Sequence, residues 1–101
     1  MHRLEQAGEG ALGVQVAPSA NLNPERTFPS LFEPVHGSAP DIYGKNIANP
    51  IAMIWSGALM LDFLTQGQGA GRAAHDAMVS AIEETIKSGP RTPDLGGTAN
   101  T

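Results

Sequence analysis

The chain has 101 residues, which is enough for one domain with a single core and too few for two domains. Its formal net charge of -4 comes without any block of basic residues, and this argues against nucleic acid as a partner. Cysteine is absent, so disulfides, thiolate nucleophiles and thiolate metal ligands are excluded.

The first third of the chain predicts short extended segments separated by turns. Residues 1–12 combine mixed charge with glycine and little periodicity, which indicates an irregular N-terminal segment. Alternating valines predict a strand over residues 13–17, closed by Pro18, and the following Pro, Asn and Ser residues indicate a turn-rich connection. "LFEPV" predicts a second strand that Pro34 cuts short, and a long loop over residues 36–49 follows.

Asn49 followed by Pro50 predicts a helix start, because an Asn side chain caps free N–H groups and proline suits the first helical position. The helix should extend to about residue 64. It is apolar almost all round, so it needs cover on several sides, and Trp55 is expected to be a core residue. This stretch falls short of the roughly 20 apolar residues of a bilayer span. Since no signal peptide is visible either, we expect no membrane partner and a cytoplasmic location.

A second helix is predicted from about residue 72 to about residue 88, after the break "GQGAG". Spacings of three and four place one set of residues on its buried face, namely Ala74, Met78, Ala81, Ile82, Thr85 and Ile86. His2 and His75 have no ligand partner at suitable spacing, so a solvated or capping role is expected for each. The arginines are expected to be surface charges: Arg3, Arg26, Arg72 and Arg91.

Two interpretations of the loop "HGSAPDIYGKNIAN" are open at this point. In the first, it is an ordinary surface loop in which Asp41 is a turn residue, His36 is partly buried and Asn49 is only a helix cap. In the second, it binds a ligand.

Three features of the loop favour the ligand. Residues 37–39 are small, so a flat ligand can approach the backbone and its N–H groups. Asp41 follows the rigid Pro40, and its carboxylate can accept two hydrogen bonds from a ribose diol. Asn49 both donates and accepts, which matches the edge of adenine. Together these properties predict a site for the adenosine half of a dinucleotide.

The run "LFEPVHGSAPDIYGKNIANPIA" closely resembles the cofactor loop of the metal-dependent, β-decarboxylating 2-hydroxyacid dehydrogenases, the family of isocitrate, isopropylmalate and tartrate or D-malate dehydrogenases. "APSANLNPERTFPS", "SGALMLDFL" and "GPRTPDLGG" extend the resemblance from about residue 12 to the C-terminus, and the tartrate or D-malate branch is the most similar. The resemblance implies an α/β fold, with residues 13–101 as a partial isopropylmalate-dehydrogenase-like domain. It also implies a small hydroxyacid substrate and a homodimeric family, although the oligomeric state of this chain is left open.

The resemblance also implies which residues bind the cofactor. NADP-using relatives have a Lys-Tyr pair where this chain has Asp41-Ile42, so NAD is the expected cofactor. Glu33 matches an acidic position near the cofactor cleft, or else it is a solvated carboxylate at a strand end. The residues expected to contact the adenosine half of NAD are His36, Gly37, Ser38, Ala39, Asp41 and Asn49.

The family reaction oxidises a 2-hydroxy acid by hydride transfer and then decarboxylates it with the help of Mg²⁺ or Mn²⁺. In the family, the metal-binding aspartates precede "APSAN", where this chain has "MHRLEQAGEGALG", and Tyr43 resembles no catalytic tyrosine. We therefore expect no catalytic and no metal-binding residue, a chain truncated at both ends, and no dehydrogenase activity in isolation. A noncatalytic nucleotide-binding or docking module, and a fragment of an isopropylmalate dehydrogenase, are the alternatives.

Overall fold

The computed structural model describes residues 17–101. The irregular segment predicted for residues 1–12, most of the predicted first strand, and the side chains of His2 and Arg3 lie outside the described residues. Two strands form an antiparallel ribbon, two helices follow, and single 3₁₀ turns lie in the long loop and near the C-terminus. The elements are β1 (Pro18–Asn21), β2 (Leu31–Pro34), the turn Pro40–Ile42, α1 (Ile51–Leu64), α2 (Gly69–Ser88) and the turn Pro93–Leu95.

The predicted end of the first strand is wrong, because Pro18 begins β1 instead of closing a strand. The Val35 N–H donates to the Ala17 carbonyl at 3.1 Å, so these two residues form a hydrogen-bonded pair. Pro18 and Pro34 face each other in the next pair, in which the backbone N–H groups point away from the partner strand. Proline therefore costs no ladder bond at this position. The second strand ends at Pro34 as predicted.

α1 ends at Leu64 as predicted and begins at Ile51, so Pro50 is the N-cap and not the first helical residue that the sequence predicted. The Asn49 Oδ1 accepts a hydrogen bond from the Ile51 N–H at 2.9 Å, and the Pro50 carbonyl accepts one from the Ile54 N–H at 3.0 Å. The side chain of Asn49 thus satisfies a free donor of the first turn, as expected for a capping residue.

α2 begins at Gly69, three residues before the predicted start. A Cβ on Gly71 would collide with the side chain of Thr65 and would lie 2.6 Å from the Leu61 carbonyl oxygen. The glycine at this position therefore allows the first turn of α2 to approach the end of α1 closely. The sequence suggested a helix break here, but part of the glycine-rich stretch serves close packing instead.

α1 lies between the ribbon and α2. Phe63 of α1 packs against Phe32 of β2, with ring centroids 5.7 Å apart and planes inclined by 54°. Trp55 is fully buried, as predicted, and this confirms its place in the core. The buried core residues shared by the two helices are Trp55, Ala58, Val79 and Ile82, with Ile51, Leu59, Met78 and Ile86 packed around them.

The buried face of α2 was predicted in part, since Ile82 is buried and Met78 and Ile86 pack against the core. The buried residues of α2 are Gly71, His75, Val79 and Ile82, whereas Ala81 is exposed. His75 is 4% exposed, so the expectation of a solvated or capping histidine is wrong. The contact with α1 is centred on the row at positions 71, 75 and 79, which follows the i, i+4 spacing, and His75 occupies the middle of this row.

Candidate functional site

An open groove with a volume of about 1170 Å³ lies between the long loop, the first turn of α1 and the C-terminal 3₁₀ turn. The structure brings most of the predicted site residues together here. Five of the six line the groove: His36, Gly37, Ser38, Ala39 and Asn49.

Small residues and left-handed backbone shape one wall of the groove. An ideal Cβ built on Gly37 would meet no atom within 4 Å, so the space beside this backbone is open to a ligand. Ala39 has φ 45°, in the left-handed region that residues with a side chain seldom adopt, and it directly precedes the turn Pro40–Ile42. Such strain persists where the surrounding structure holds it, and it concentrates at functional sites.

His36 is exposed and lies against its own backbone, with its Nδ1 2.9 Å from the Gly37 carbonyl oxygen. A carbonyl oxygen can only accept, so Nδ1 carries the proton in this contact. In the neutral ring, Nε2 is then free to accept a hydrogen bond from a ligand. The expectation that His36 would be partly buried if the loop were ordinary does not hold.

The side chain of Asn49 caps α1, but capping uses only part of the hydrogen-bonding capacity of its amide group. Oδ1 accepts from the Ile51 N–H, and Nδ2 donates to the Asp94 Oδ2 at 2.9 Å. A primary amide offers two donors and two acceptor lone pairs, so one donor and one lone pair are left over. The capping role and an adenine-binding role are therefore compatible.

Asp94 is a groove residue to which the sequence assigned no role. It lies in the turn Pro93–Leu95, accepts from Asn49, and accepts at its other oxygen from the hydroxyl of Thr92, which is 6% exposed. "GPRTPDLGG" was part of the family resemblance, but only the fold shows that Asp94 reaches a loop 45 residues earlier in the chain.

Asp41 is the one predicted site residue that does not line the groove. It is exposed in the first turn of the segment Pro40–Ile42, between Ala39 and Ile42, which do line the groove. Asp41 thus adjoins the groove through its neighbours in the chain. Tyr43, to which the sequence gave no role, is 91% exposed and contributes to the lining.

The groove is mostly neutral. Among the described residues that line it, Asp94 alone carries a full charge, while Asp41 and Lys45, each next to a lining residue in the chain, add one negative and one positive charge beside it. Such a site suits a flat, neutral group that forms hydrogen bonds better than it suits a phosphate.

Other residues singled out from the sequence lie away from the groove. Glu33 is exposed on β2 opposite Ser19 and does not line the groove. Arg26, Arg72 and Arg91 are exposed, as expected for surface charges.

Residues 17–101 contain neither a cluster of metal ligands nor a helix that could span a membrane. Over this part of the chain, no three or more His, Asp or Glu side chains come together as metal ligands. Neither helix in the same range is long and apolar enough to cross a membrane.

Two curated proteins are similar to almost the whole chain. The chain is 68% identical over 98 residues to a tartrate dehydrogenase/decarboxylase from Pseudomonas putida, covering 97% of this chain and 26% of that protein. It is 66% identical over 98 residues to the D-malate dehydrogenase (decarboxylating) of Escherichia coli, covering 97% of this chain and 27% of that protein. The chain thus spans about a quarter of the length of these curated relatives.

A solved structure is similar as well. The apo form of a β-decarboxylating dehydrogenase from Thermococcus kodakarensis superposes with a TM-score of 0.65 at 46% identity, over 83% of this chain and 22% of that one. This likeness confirms the expected α/β class and the partial isopropylmalate-dehydrogenase-like fold. The family model for isocitrate/isopropylmalate dehydrogenase matches residues 5–101, and the chain belongs to this family.

Proposed function

We propose that this chain binds the adenosine half of NAD and is part of an enzyme that oxidises and decarboxylates a 2-hydroxy acid such as tartrate or D-malate. The observation that carries the proposal is the neutral groove lined by His36, residues 37–39 and Asn49. The names of two curated relatives, a tartrate dehydrogenase/decarboxylase and a D-malate dehydrogenase, support the activity and the substrate class.

Adenine fits the groove by its chemistry. The unused donor and lone pair of the Asn49 amide complement the ring edge, which both donates and accepts. The Nε2 of His36 adds an acceptor for an exocyclic amino group. The open backbone at Gly37 and the exposed ring of Tyr43 offer flat surfaces for a base to lie against.

The ribose would extend from the groove toward Asp41 at its edge. A carboxylate at this position accepts hydrogen bonds from the 2'- and 3'-hydroxyls, and it repels the 2'-phosphate of NADP. Among residues 17–101, no arginine or lysine lines the groove to bind such a phosphate, although Lys45 lies between the lining residues Gly44 and Asn46. The described residues therefore favour NAD over NADP.

The divalent metal expected from the family has no binding site among the described residues. Mg²⁺ or Mn²⁺ is expected from the family, but residues 17–101 offer no cluster of ligands for it. Hydride transfer and decarboxylation are therefore not assigned to any of residues 17–101. We expect the 101-residue chain alone to show no NAD reduction with tartrate, D-malate or isopropylmalate.

Titration calorimetry with NAD, NADP and ADP on the wild-type chain and on Asp41→Asn tests the cofactor assignment. A lost hydrogen bond to a charged group weakens NAD binding about tenfold, and loss of the repulsion narrows the preference for NAD over NADP. Glu84→Gln is the control, because it removes the same charge from an exposed position on α2, away from the groove. Equal affinities in Asp41→Asn and Glu84→Gln would contradict the role of Asp41. Absence of NAD and ADP binding to the wild-type chain would overturn the proposal.

A further inference from the structure

The C-terminal segment, residues 91–101, folds back onto the loop that precedes α1. The Thr101 N–H donates to the Asn46 carbonyl at 2.9 Å, and the Thr101 hydroxyl donates to the Ala48 carbonyl at 2.7 Å. Asp94, in the same segment, accepts from Asn49. The C-terminal segment thus contacts three of the four residues from 46 to 49.

The loop needs support of this kind because the core does not hold it. None of residues 36–49 is buried. Asn46 also has φ 55°, in the left-handed region, so its conformation depends on local bonds. Its carbonyl is one of the two groups that Thr101 binds. The hydrogen bonds of Thr101 and Asp94 to residues 46, 48 and 49, which we call the polar clasp, therefore hold the loop where apolar packing is absent.

The C-terminal segment is itself anchored, which makes it a suitable support. The Ala99 N–H donates to the Arg91 carbonyl at 2.9 Å, and the Gly97 N–H donates to the Thr92 carbonyl at 3.1 Å. A Cβ on Gly97 would collide with the Arg91 backbone, so the segment folds tightly on itself. Thr92, at the base of this fold, is buried.

We propose that Thr101 is a positioning residue for nucleotide binding. Its hydroxyl and its N–H hold the carbonyls on the N-terminal side of Asn49, and Asp94 fixes the Asn49 amide itself. The Asn49 groups left over by the cap then face the groove in a fixed orientation, so less conformational freedom is lost when a base binds. The binding part of this inference rests on the proposed adenosine site, whereas the ordering of the loop does not.

Three variants in the C-terminal segment test the clasp. Thr101→Val keeps the shape of the side chain and the backbone N–H but removes the hydroxyl. Thr101→Ser keeps the hydroxyl. Thr98→Val is the matched control, because Thr98 is an exposed threonine in the same segment whose side chain forms no hydrogen bond with any other of residues 17–101. Hydrogen–deuterium exchange of the peptides covering residues 42–51, without nucleotide, reports the order of the loop. Calorimetry with NAD and ADP reports binding.

Thr101→Val is expected to speed exchange in the loop about fivefold and to weaken NAD and ADP binding by a similar factor, the effect of one lost hydrogen bond. Thr101→Ser should restore both, and Thr98→Val should change neither. The inference is overturned if Thr101→Val behaves like Thr98→Val in exchange, or if exchange rises while the affinity of a binding-competent chain stays unchanged. If the wild-type chain binds no nucleotide, the adenosine proposal fails and the positioning role fails with it. Exchange then still shows separately whether Thr101 orders the loop.

Discussion

The two helices are neighbours in the chain and pack on each other, but they present different surfaces. α1 contains a single charged residue, Asp62, and leaves Met53, Ile54 and Met60 exposed at 59%, 44% and 39%. α2 buries Val79 and Ile82 together with His75 on the face toward α1, and charged residues such as Arg72 and Asp76 are exposed elsewhere on it. α2 therefore has the pattern of a helix with one face to solvent, whereas α1 has the pattern of a helix with neighbours on several sides.

This difference bears on function because only α1 reaches the groove. Its cap, Asn49, and its first turn, through Ala52, line the groove, and Trp55 lies one turn further along in the core. α2 contributes no groove residue, and it packs against α1 through the core around Trp55. Changes inside α1 should therefore affect stability and nucleotide binding together.

The largest effect is expected from Trp55→Ala. Trp55 is fully buried between the helices, and truncation of a buried large aromatic residue costs about 3–5 kcal/mol of the free energy of unfolding. Urea unfolding followed by circular dichroism measures the loss. Met53→Ala, two residues earlier on the exposed side of α1, is the control and should change the stability by about 0.5 kcal/mol or less. If Met53→Ala cost as much as Trp55→Ala, the exposed face of α1 would be covered in solution, and the contrast with α2 would have to be redrawn.

One glycine in each helix gives an intermediate effect of opposite sign. A Cβ on Gly71 of α2 would meet Thr65 and the Leu61 carbonyl oxygen, so Gly71→Ala should destabilise the fold by about 1–3 kcal/mol. A Cβ on Gly57 of α1 would meet nothing within 4 Å, so Gly57→Ala should stabilise the fold by about 0.5–1 kcal/mol through helix propensity.

Thermal melts of the two glycine variants beside the wild type test this pair. A melting temperature raised by Gly57→Ala and lowered by Gly71→Ala is the expected result. A melting temperature raised by both substitutions would contradict the close approach of the helices at Gly71, and one lowered by both would contradict the open space beside Gly57.

The sequence predicted the parts of the fold that local chemistry determines. Asn49-Pro50 predicted the position of α1. The small residues 37–39, together with His36 and Asn49, predicted a site for a ligand, and these residues line the groove. Trp55 in an all-apolar segment could only be a core residue. The lining of the groove could be predicted because most of its residues are near one another in the chain.

The sequence failed where packing between elements decides the outcome. His75 looked like a surface residue because its burial depends on the direction from which α1 approaches α2. Pro18 looked like the end of a strand because its place in a non-hydrogen-bonded pair depends on the register with Pro34. The role of Asp94 depends on a contact with Asn49 far away in the chain, which no local pattern can reveal.

The smallest effect is expected from Asp76→Asn, on the solvent side of the helix junction. Arg72 lies 3.2 Å from the Asp76 carboxylate and 3.3 Å from that of Asp62, so it links the two helices through exposed ion pairs. The His75 side chain donates to the Asp76 carboxylate at 2.9 Å. This hydrogen bond, and then the charge of Arg72, hold the pKa of Asp76 below its ordinary value. Removing the charge should lower the urea midpoint slightly at neutral pH, since exposed ion pairs contribute little and are screened by salt.

The pH dependence of this small loss distinguishes a charge effect from a packing effect. Because the pKa of Asp76 is lower in the folded state, its contribution is fully present above the pKa of the unfolded chain, near ~3.9, and is lost as the pH falls through the folded pKa. The difference in urea midpoint between wild type and Asp76→Asn should therefore be constant from neutral pH down to about 5. Below that pH the difference should shrink toward zero. Glu84→Gln, an exposed change of the same charge on α2, should show no such difference. If the difference in urea midpoint persisted at the lowest pH, Asp76 would stabilise the contact between the helices through packing and not through its charge.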